Sequence, residues 1–198
     1  MDISDWQEHS SNGDFTAVDG QGRLYVQAGV SGYAAALYKY RLPNLDFSFD
    51  ISLANYDPDS VINGLYARLS ITGSNTEFSY ATCSNIAQCT VRQIDDDFPN
   101  YLIGIRFKVN NTSYTEITTE SSTLPSKFRL RRIGTTIYMD YYTTFWETLG
   151  SRDFGAYASQ PRNIYAVAAS NSNNGGRWDF DNLIFHEGCP TGSDLAWT

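Results

Sequence analysis

Six glutamates, two histidines and three cysteines set the limits on what this chain of 198 residues can do chemically. Glycoside hydrolysis needs two carboxyl groups about 5–9.5 Å apart, one as acid and one as nucleophile or base. Glu116 and Glu120 would share one face of a strand, but four residues at about 3.3 Å each carry them too far apart. Asp95, Asp96 and Asp97, ahead of Phe98-Pro99, have the composition of a solvated turn. A Ser/His/Asp mechanism has only His9 and His186 to draw on, near opposite ends of the chain, and no G-x-S-x-G elbow. No glycine-rich loop leads into a helix that would cradle phosphate. The expectation is that the chain is not an enzyme. Cys83, Cys89 and Cys189 match no zinc spacing. Cys83 and Cys89 would close a small disulfide loop in an oxidising compartment, leaving Cys189 over; the alternative is structural thiols.

Binding chemistry is better represented. FRLRRIGTTIYMDYYTTFWETLG, residues 128–150, joins two alternating runs at Gly134-Thr135. With those two as the central turn residues, Arg131 faces Tyr138, Arg129 faces Asp140 and Phe128 faces Tyr141. The alternation breaks at Arg132 and Ile133, where a bulge would shift these pairs by one. Phe128, Leu130, Ile137, Met139 and Tyr141 then face a core, and the other side carries Arg129, Arg131, Tyr138, Asp140 and Tyr142, with Trp146 just beyond. Proteins grip sugars with aromatic rings against C–H faces and with polar side chains on the hydroxyls; rings supply large contact at low entropy cost. Tyr66 and Arg68 are further outward positions, and alignment of neighbouring strands would gather all of these into one patch. The stretch SNSNNGGRW offers a second candidate in Asn173, Asn174 and Arg177, since loops at sandwich ends often carry function. Blander alternatives stand beside both: a wet sheet face held by Arg–Asp and Arg–Tyr contacts, and a long polar turn.

The elements that must position these residues follow period two. Phe47, Phe49, Ile51 and Leu53 alternate with polar residues, as do Leu65, Ala67, Leu69 and Ile71, and Tyr101, Ile103, Ile105, Phe107 and Val109 alternate with Leu102, Gly104, Arg106 and Lys108. Further strands are expected over 23–28, 35–41, 77–82, 114–118, 127–133, 136–143, 163–170 and 178–186. Asp19–Gly22, Asp57–Ser60, Thr72–Asn75 and Ser170–Gly176 carry turn chemistry. Apolar spacing of i, i+3, i+4 never persists for three turns, so no helix of length is expected. About a dozen strands around one core give an all-β, two-sheet antiparallel sandwich in preference to a barrel. A single sandwich over 1–188 and a tail over 189–198, with Leu195 and Trp197 to dock on a body or neighbour, are the expected units.

The segment F-R-L-R-R-I-G-T-T-I-Y followed by F-W-E-T-L resembles the hairpin of concanavalin A-like lectin/glucanase jelly rolls. The late strand WDFDNLIF, residues 178–185, and the early DFTAVDGQGRLYV, residues 14–26, resemble the closing and opening strands of that group. The resemblance implies jelly-roll topology and glycan binding on a concave sheet or on rim loops. It also implies that hydrolases of this fold set their acids as Glu-x-Asp-x-Glu or Glu-x-Asp-x-x-Glu, and none of the glutamates here begins that pattern. Structural Ca²⁺ near the terminal strands is a further implication, with Asp179 and Asp181 on one strand face as ligands and Asp14 or Asp19 approaching them. No other cofactor is expected.

A net charge of −8 and a pI near 4.6 argue against nucleic acid and against anionic membranes as partners. No apolar run is long enough to span a bilayer. The N-terminal MDISDWQEHSSNGDF lacks the pattern of an export signal. Asn110 and Asn111 open the sequons NNT and NTS, relevant in a glycosylating compartment. Two function classes follow. One is a non-catalytic glycan-binding module at an extracellular or virion surface, its partner a glycan or polysaccharide. The other is an assembly subunit of a virion or filament, a homo-oligomer or a partner of other coat proteins through the tail.

Overall fold

The computed structural model describes residues 5–10, 15–18, 24–28, 33–58, 65–74, 76, 79–94, 100–170 and 176–190. In chain order the strands are β1 (Trp6–Ser10), β2 (Phe15–Val18), β3 (Leu24–Ala28), β4 (Tyr33–Tyr38), β5 (Phe47–Pro58), β6 (Leu65–Thr72), β7 (Ile86–Gln93) and β8 (Tyr101–Val109). They continue with β9 (Thr112–Ser113), β10 (Ile117–Ser121), β11 (Lys127–Ile133), β12 (Thr136–Tyr142), β13 (Trp146–Asp153), β14 (Asn163–Ser170) and β15 (Gly176–Glu187). A 3₁₀ turn, Gly155–Tyr157, lies between β13 and β14, and there is no α-helix among the described residues.

The strands form two antiparallel sheets. The first runs β1-β4-β14-β6-β7-β8-β10, with β9 also pairing β8; the second runs β13-β12-β11-β5-β15-β3-β2. The sheets pack through one alternate set of side chains from each, as period two requires. Ala67, Leu69, Ile71, Cys89, Val91, Ile103, Ile105 and Phe107 come from the first sheet, and Phe47, Phe49, Ile51, Phe128, Leu130, Ile137, Met139 and Phe180 from the second; all are essentially inaccessible. Each large apolar side chain so buried contributes about 1.5–3 kcal/mol.

The hairpin forms with the expected register: Arg131 opposite Tyr138, Arg129 opposite Asp140, Phe128 opposite Tyr141. Gly134 takes φ +61°, which a side chain disfavours and a tight hairpin turn demands. No bulge follows Arg132. Its side chain turns to the core side instead, buried, and its Nη1 donates to Ala158 O at 2.9 Å. The register irregularity lies on the other side of β12, between Met139 and Asp140 against β13. It admits Gly150 into the core, where a Cβ would lie 2.7 Å from Ile105 Cδ1.

Several expected elements need correction. Residues 79–82 turn rather than extend, with Thr82 and Cys83 donating their N–H groups to Ser79 O. The strand placed at 114–118 begins at Ile117 and runs to Ser121. β1, β7, β9 and β13 form where no strand was expected. The disulfide between Cys83 and Cys89 is absent and both are buried free thiols. Cys83 precedes β7 whereas Cys89 points from its middle into the core. The tail beyond Pro190, with Leu195 and Trp197, lies outside the described residues.

Candidate functional site

The expected single patch divides between two surfaces. Arg129, Arg131, Tyr138, Asp140, Tyr142 and Trp146 stand on the outer face of the second sheet, whereas Tyr66 and Arg68 stand on the outer face of the first. Strand order caused the split: β6 pairs with β7 and β14, not with β11 or β12.

On the second sheet the polar groups satisfy one another. Asp140 is fully buried, and its carboxylate accepts from Arg129 Nε at 2.7 Å, Arg131 Nε at 2.7 Å, Arg131 Nη2 at 3.0 Å and Thr148 Oγ1 at 2.6 Å. Burial pushes this carboxyl's pKa up, but the bonds from Arg131, Thr148 and Arg129 outweigh it and hold the group below its ordinary value. A carboxylate with its acceptor sites filled this way has no position left for a hydroxyl and no means of shuttling a proton. The rings are occupied as well. Arg129 lies 4.1 Å from the Trp146 ring centre, Arg131 lies 5.0 Å from that of Tyr138, and Tyr142 meets Trp146 edge-on at 5.3 Å. The hairpin face is a self-contained ion network.

The outer face of the first sheet differs. Register places Val167, Arg68, Thr90, Gly104 and Thr118 in one row across β14, β6, β7, β8 and β10. The next row holds Tyr165, Ser70, Gln88 and Arg106. Short residues therefore sit in the middle with long ones around them. Ser70, Gln88 and Thr90 are buried although they point away from the inter-sheet core, so their longer neighbours cover them. Beside them Ala35, Leu37, Tyr165 and Val167 form a small separate apolar cluster.

Gly104 is required there. A Cβ would meet Glu116 Oε1 at 2.7 Å and Thr90 Oγ1 at 3.0 Å, so its absence lets Glu116 lie across the sheet and accept from Arg106 Nη2 at 2.7 Å. Arg92 donates to the Tyr66 hydroxyl at 3.1 Å, and the guanidinium groups of Arg68 and Arg92 lie 5.0 and 5.5 Å from the centre of that same ring. Lys108 is buried, 5.1 Å from the Tyr80 ring centre, and donates to Ala81 O.

Unlike the hairpin network, this face has hydrogen-bonding capacity to spare. Gln88 Nε2 donates to Ser70 Oγ at 3.0 Å, yet Gln88 Oε1 is buried without a partner. Arg68 Nε and Asn163 Oδ1 are buried without partners too. Burial, with the charge of Arg106 beside it, lowers the Arg68 pKa to about 10. Sequence reading singled out Tyr66 and Arg68 but missed Gln88, Thr90, Arg92 and Arg106 as their companions. The signal was present in Gln88-Cys89-Thr90-Val91-Arg92, which alternates cleanly.

The other candidates contribute less. Asn173 and Asn174 lie outside the described residues; Arg177 is placed on β15, opposite Asp57 and Gln27. Asp179 is buried and Asp181 Oδ1 accepts from the backbone N–H of Asn182, which has φ +50°. Among the described residues no group of three or more His, Cys, Asp or Glu side chains is placed to hold a metal, and Asp14 and Asp19 lie outside them. The two aspartates thus lack a third metal ligand among the described residues. His9 lies on β1 of the first sheet and His186 on β15 of the second, where its Nε2 bonds Asp50 Oδ2. A depression of about 550 Å³ at one end of the sandwich, lined by Asn44, Asp46, Arg132 and Glu187 among others, gathers none of the expected sugar-binding residues. No helix among the described residues is long and apolar enough to cross a membrane.

Comparison with known proteins fits this architecture. No protein-family model matches the chain, and no curated protein sequence does. Solved structures match over nearly its whole length. A legume lectin-like domain from Entamoeba histolytica superposes with a TM-score of 0.63 at 10% identity, covering 93% of this chain and 91% of that one. Lectin II from Ulex europaeus gives 0.54 at 13% identity, covering 89% and 92%. An alginate lyase from Klebsiella pneumoniae gives 0.54 at 9% identity, covering 92% and 86%. Identities this low speak for the fold alone. Two antiparallel sheets in this order, shared with lectin-like and lyase structures, give the chain the concanavalin A-like lectin/glucanase jelly-roll fold.

Proposed function

We propose that this chain is a non-catalytic, lectin-like carbohydrate-binding module that holds glycan on the outer face of its first sheet, around Arg68 and Gln88. One observation carries the reading: on the outer face of the first sheet, beside Tyr66, Arg68 Nε and Gln88 Oε1 are buried and unpartnered. Leaving such groups unmet costs about 1–3 kcal/mol each, a penalty that hydroxyls of a ligand would relieve. The lectin-like folds among the structural neighbours support the same reading.

The absence of catalysis is argued from the carboxylates. On this face Glu116 is engaged by Arg106, and Glu120 stands four residues further along. On the other sheet Asp140 is saturated. Glu116 and Asp140 are thus held by cations and are not free to serve as the acid and base of hydrolysis.

A glycan array probed with the wild-type chain, Gln88→Leu and Thr148→Ala tests the proposal. Expected is binding to at least one glycan class, lost in Gln88→Leu and kept in Thr148→Ala, which touches only the hairpin network. Silence across plant, algal and bacterial glycans would overturn it, as would a loss confined to Thr148→Ala.

A further inference from the structure

Charge is unevenly shared on the outer face of the first sheet. Arg68, Arg92, Arg106 and Lys108 point outward from β6, β7 and β8, and the described carboxylates facing them are Glu116 and Glu120 from the β10 segment. Glu116 is bonded to Arg106. Arg68 has no carboxylate within ion-pair distance among the described residues; it contacts the Tyr66 ring, which it shares with the like-charged Arg92. On the second sheet, by contrast, Arg129 and Arg131 both hold Asp140. In a chain of net charge −8, four cations on one face against two described carboxylates make a local excess of positive charge.

Such an arrangement is unfavourable in the empty protein. Burying a charge without a partner opposes folding, and a neighbouring like charge adds to the cost. Both effects act on Arg68, as its lowered pKa records. Glu116 already covers Gly104 and holds Arg106, so an anion that lessens the imbalance belongs on the other side of Arg68, towards Arg92. A guanidinium offers a planar fork of donors matched to carboxylate or sulfate oxygens. Gln88, with its unpartnered Oε1, stands on the strand beside Arg68.

Resting on the glycan-binding reading, we infer that this face selects anionic glycans, with Arg68 meeting a carboxylate or sulfate group of the sugar and Arg92 flanking it. The protein's overall negative charge repels polyanions at a distance, so their capture needs a local site rather than general attraction.

The test is affinity electrophoresis and calorimetry with matched pairs: polygalacturonate against its full methyl ester, and dextran sulfate against dextran, backed by an array holding acidic and neutral glycans. Expected is binding to acidic members, with at least a 10-fold loss on esterification or desulfation and a progressive loss with added salt. Preference for uronates assigns a carboxylate and preference for sulfated glycans a sulfate; either supports the inference. Arg68→Gln should weaken binding at least 10-fold and Arg68→Lys less, while thermal unfolding stays at or above that of wild type, because the substitution removes a charge from the local excess. Arg92→Gln serves as a second probe and should also weaken binding. Equal binding of acidic and neutral members, or unchanged binding in Arg68→Gln, overturns the inference and leaves the module reading intact. Absence of binding to every glycan removes both.

Discussion

Replacing Asp140 with Asn isolates the hairpin network. The amide keeps one oxygen acceptor but turns an NH₂ group toward donors, so at least two of the four bonds to Arg129, Arg131 and Thr148 are lost. Hydrogen bonds to charged groups contribute about 1.5–3 kcal/mol each, and breaking a buried pair by removing one charge costs about 3–5 kcal/mol. The arginine side chains keep 23% and 26% exposure, so water compensates part of that loss and the expected cost is about 2–3 kcal/mol. For a chain of this size each kcal/mol moves the unfolding midpoint by about 2–4 °C, which gives a drop of about 4–12 °C. Urea denaturation at pH 7, with unchanged m-value, measures it directly. The pH dependence has a defined sign. Because Asp140 is held below its ordinary pKa when folded, its contribution is complete above the unfolded value of about 3.9 and fades as pH falls through the folded one. Asp140→Asn should therefore lie close to wild type in acid and diverge from it toward neutrality. A difference under about 0.5 kcal/mol at pH 7, or one that grows on acidification, would refute the network account.

Three further outcomes follow from packing and from the carboxylates. Gly150→Ala forces a methyl group to within 2.7 Å of Ile105 Cδ1 and 3.0 Å of Ile117 Cδ1, and overpacking of this kind should cost about 1–3 kcal/mol in thermal unfolding. In the folded protein one thiol, Cys189, should react promptly with a disulfide reagent and all three in denaturant; burial of Cys83 and Cys89, with the Cys89 thiol pushed well up, protects the other two. Prolonged incubation with mixed polysaccharides should release no reducing ends, and release would contradict the non-catalytic reading.

The fold was readable in the sequence wherever strands paired locally. The turn at Gly134-Thr135 and period two in its arms fixed the β11–β12 register, because a two-residue loop leaves little freedom. β7 escaped notice since its core positions are the small residues Ala87, Cys89 and Val91, and the cysteine invited a loop reading. β13 escaped because an edge strand with a bulge at Leu149 loses its alternation. The candidate site was legible only in part for a different reason. Alternation says which residues point outward, but strand order says which of them meet, and the crossover that sets β14 beside β6 is a property of the whole fold. Tyr66 and Arg68 were thus grouped with hairpin residues that belong to the opposite surface.

Backbone amide chemical shifts followed by NMR during titration with an oligosaccharide selected from the array locate the binding surface directly. The account predicts that the largest shifts fall on β6 and β7 around Arg68, Gln88, Thr90 and Arg92, with the β11–β12 hairpin unmoved. Shifts centred on Arg129, Asp140 and Trp146 would contradict it.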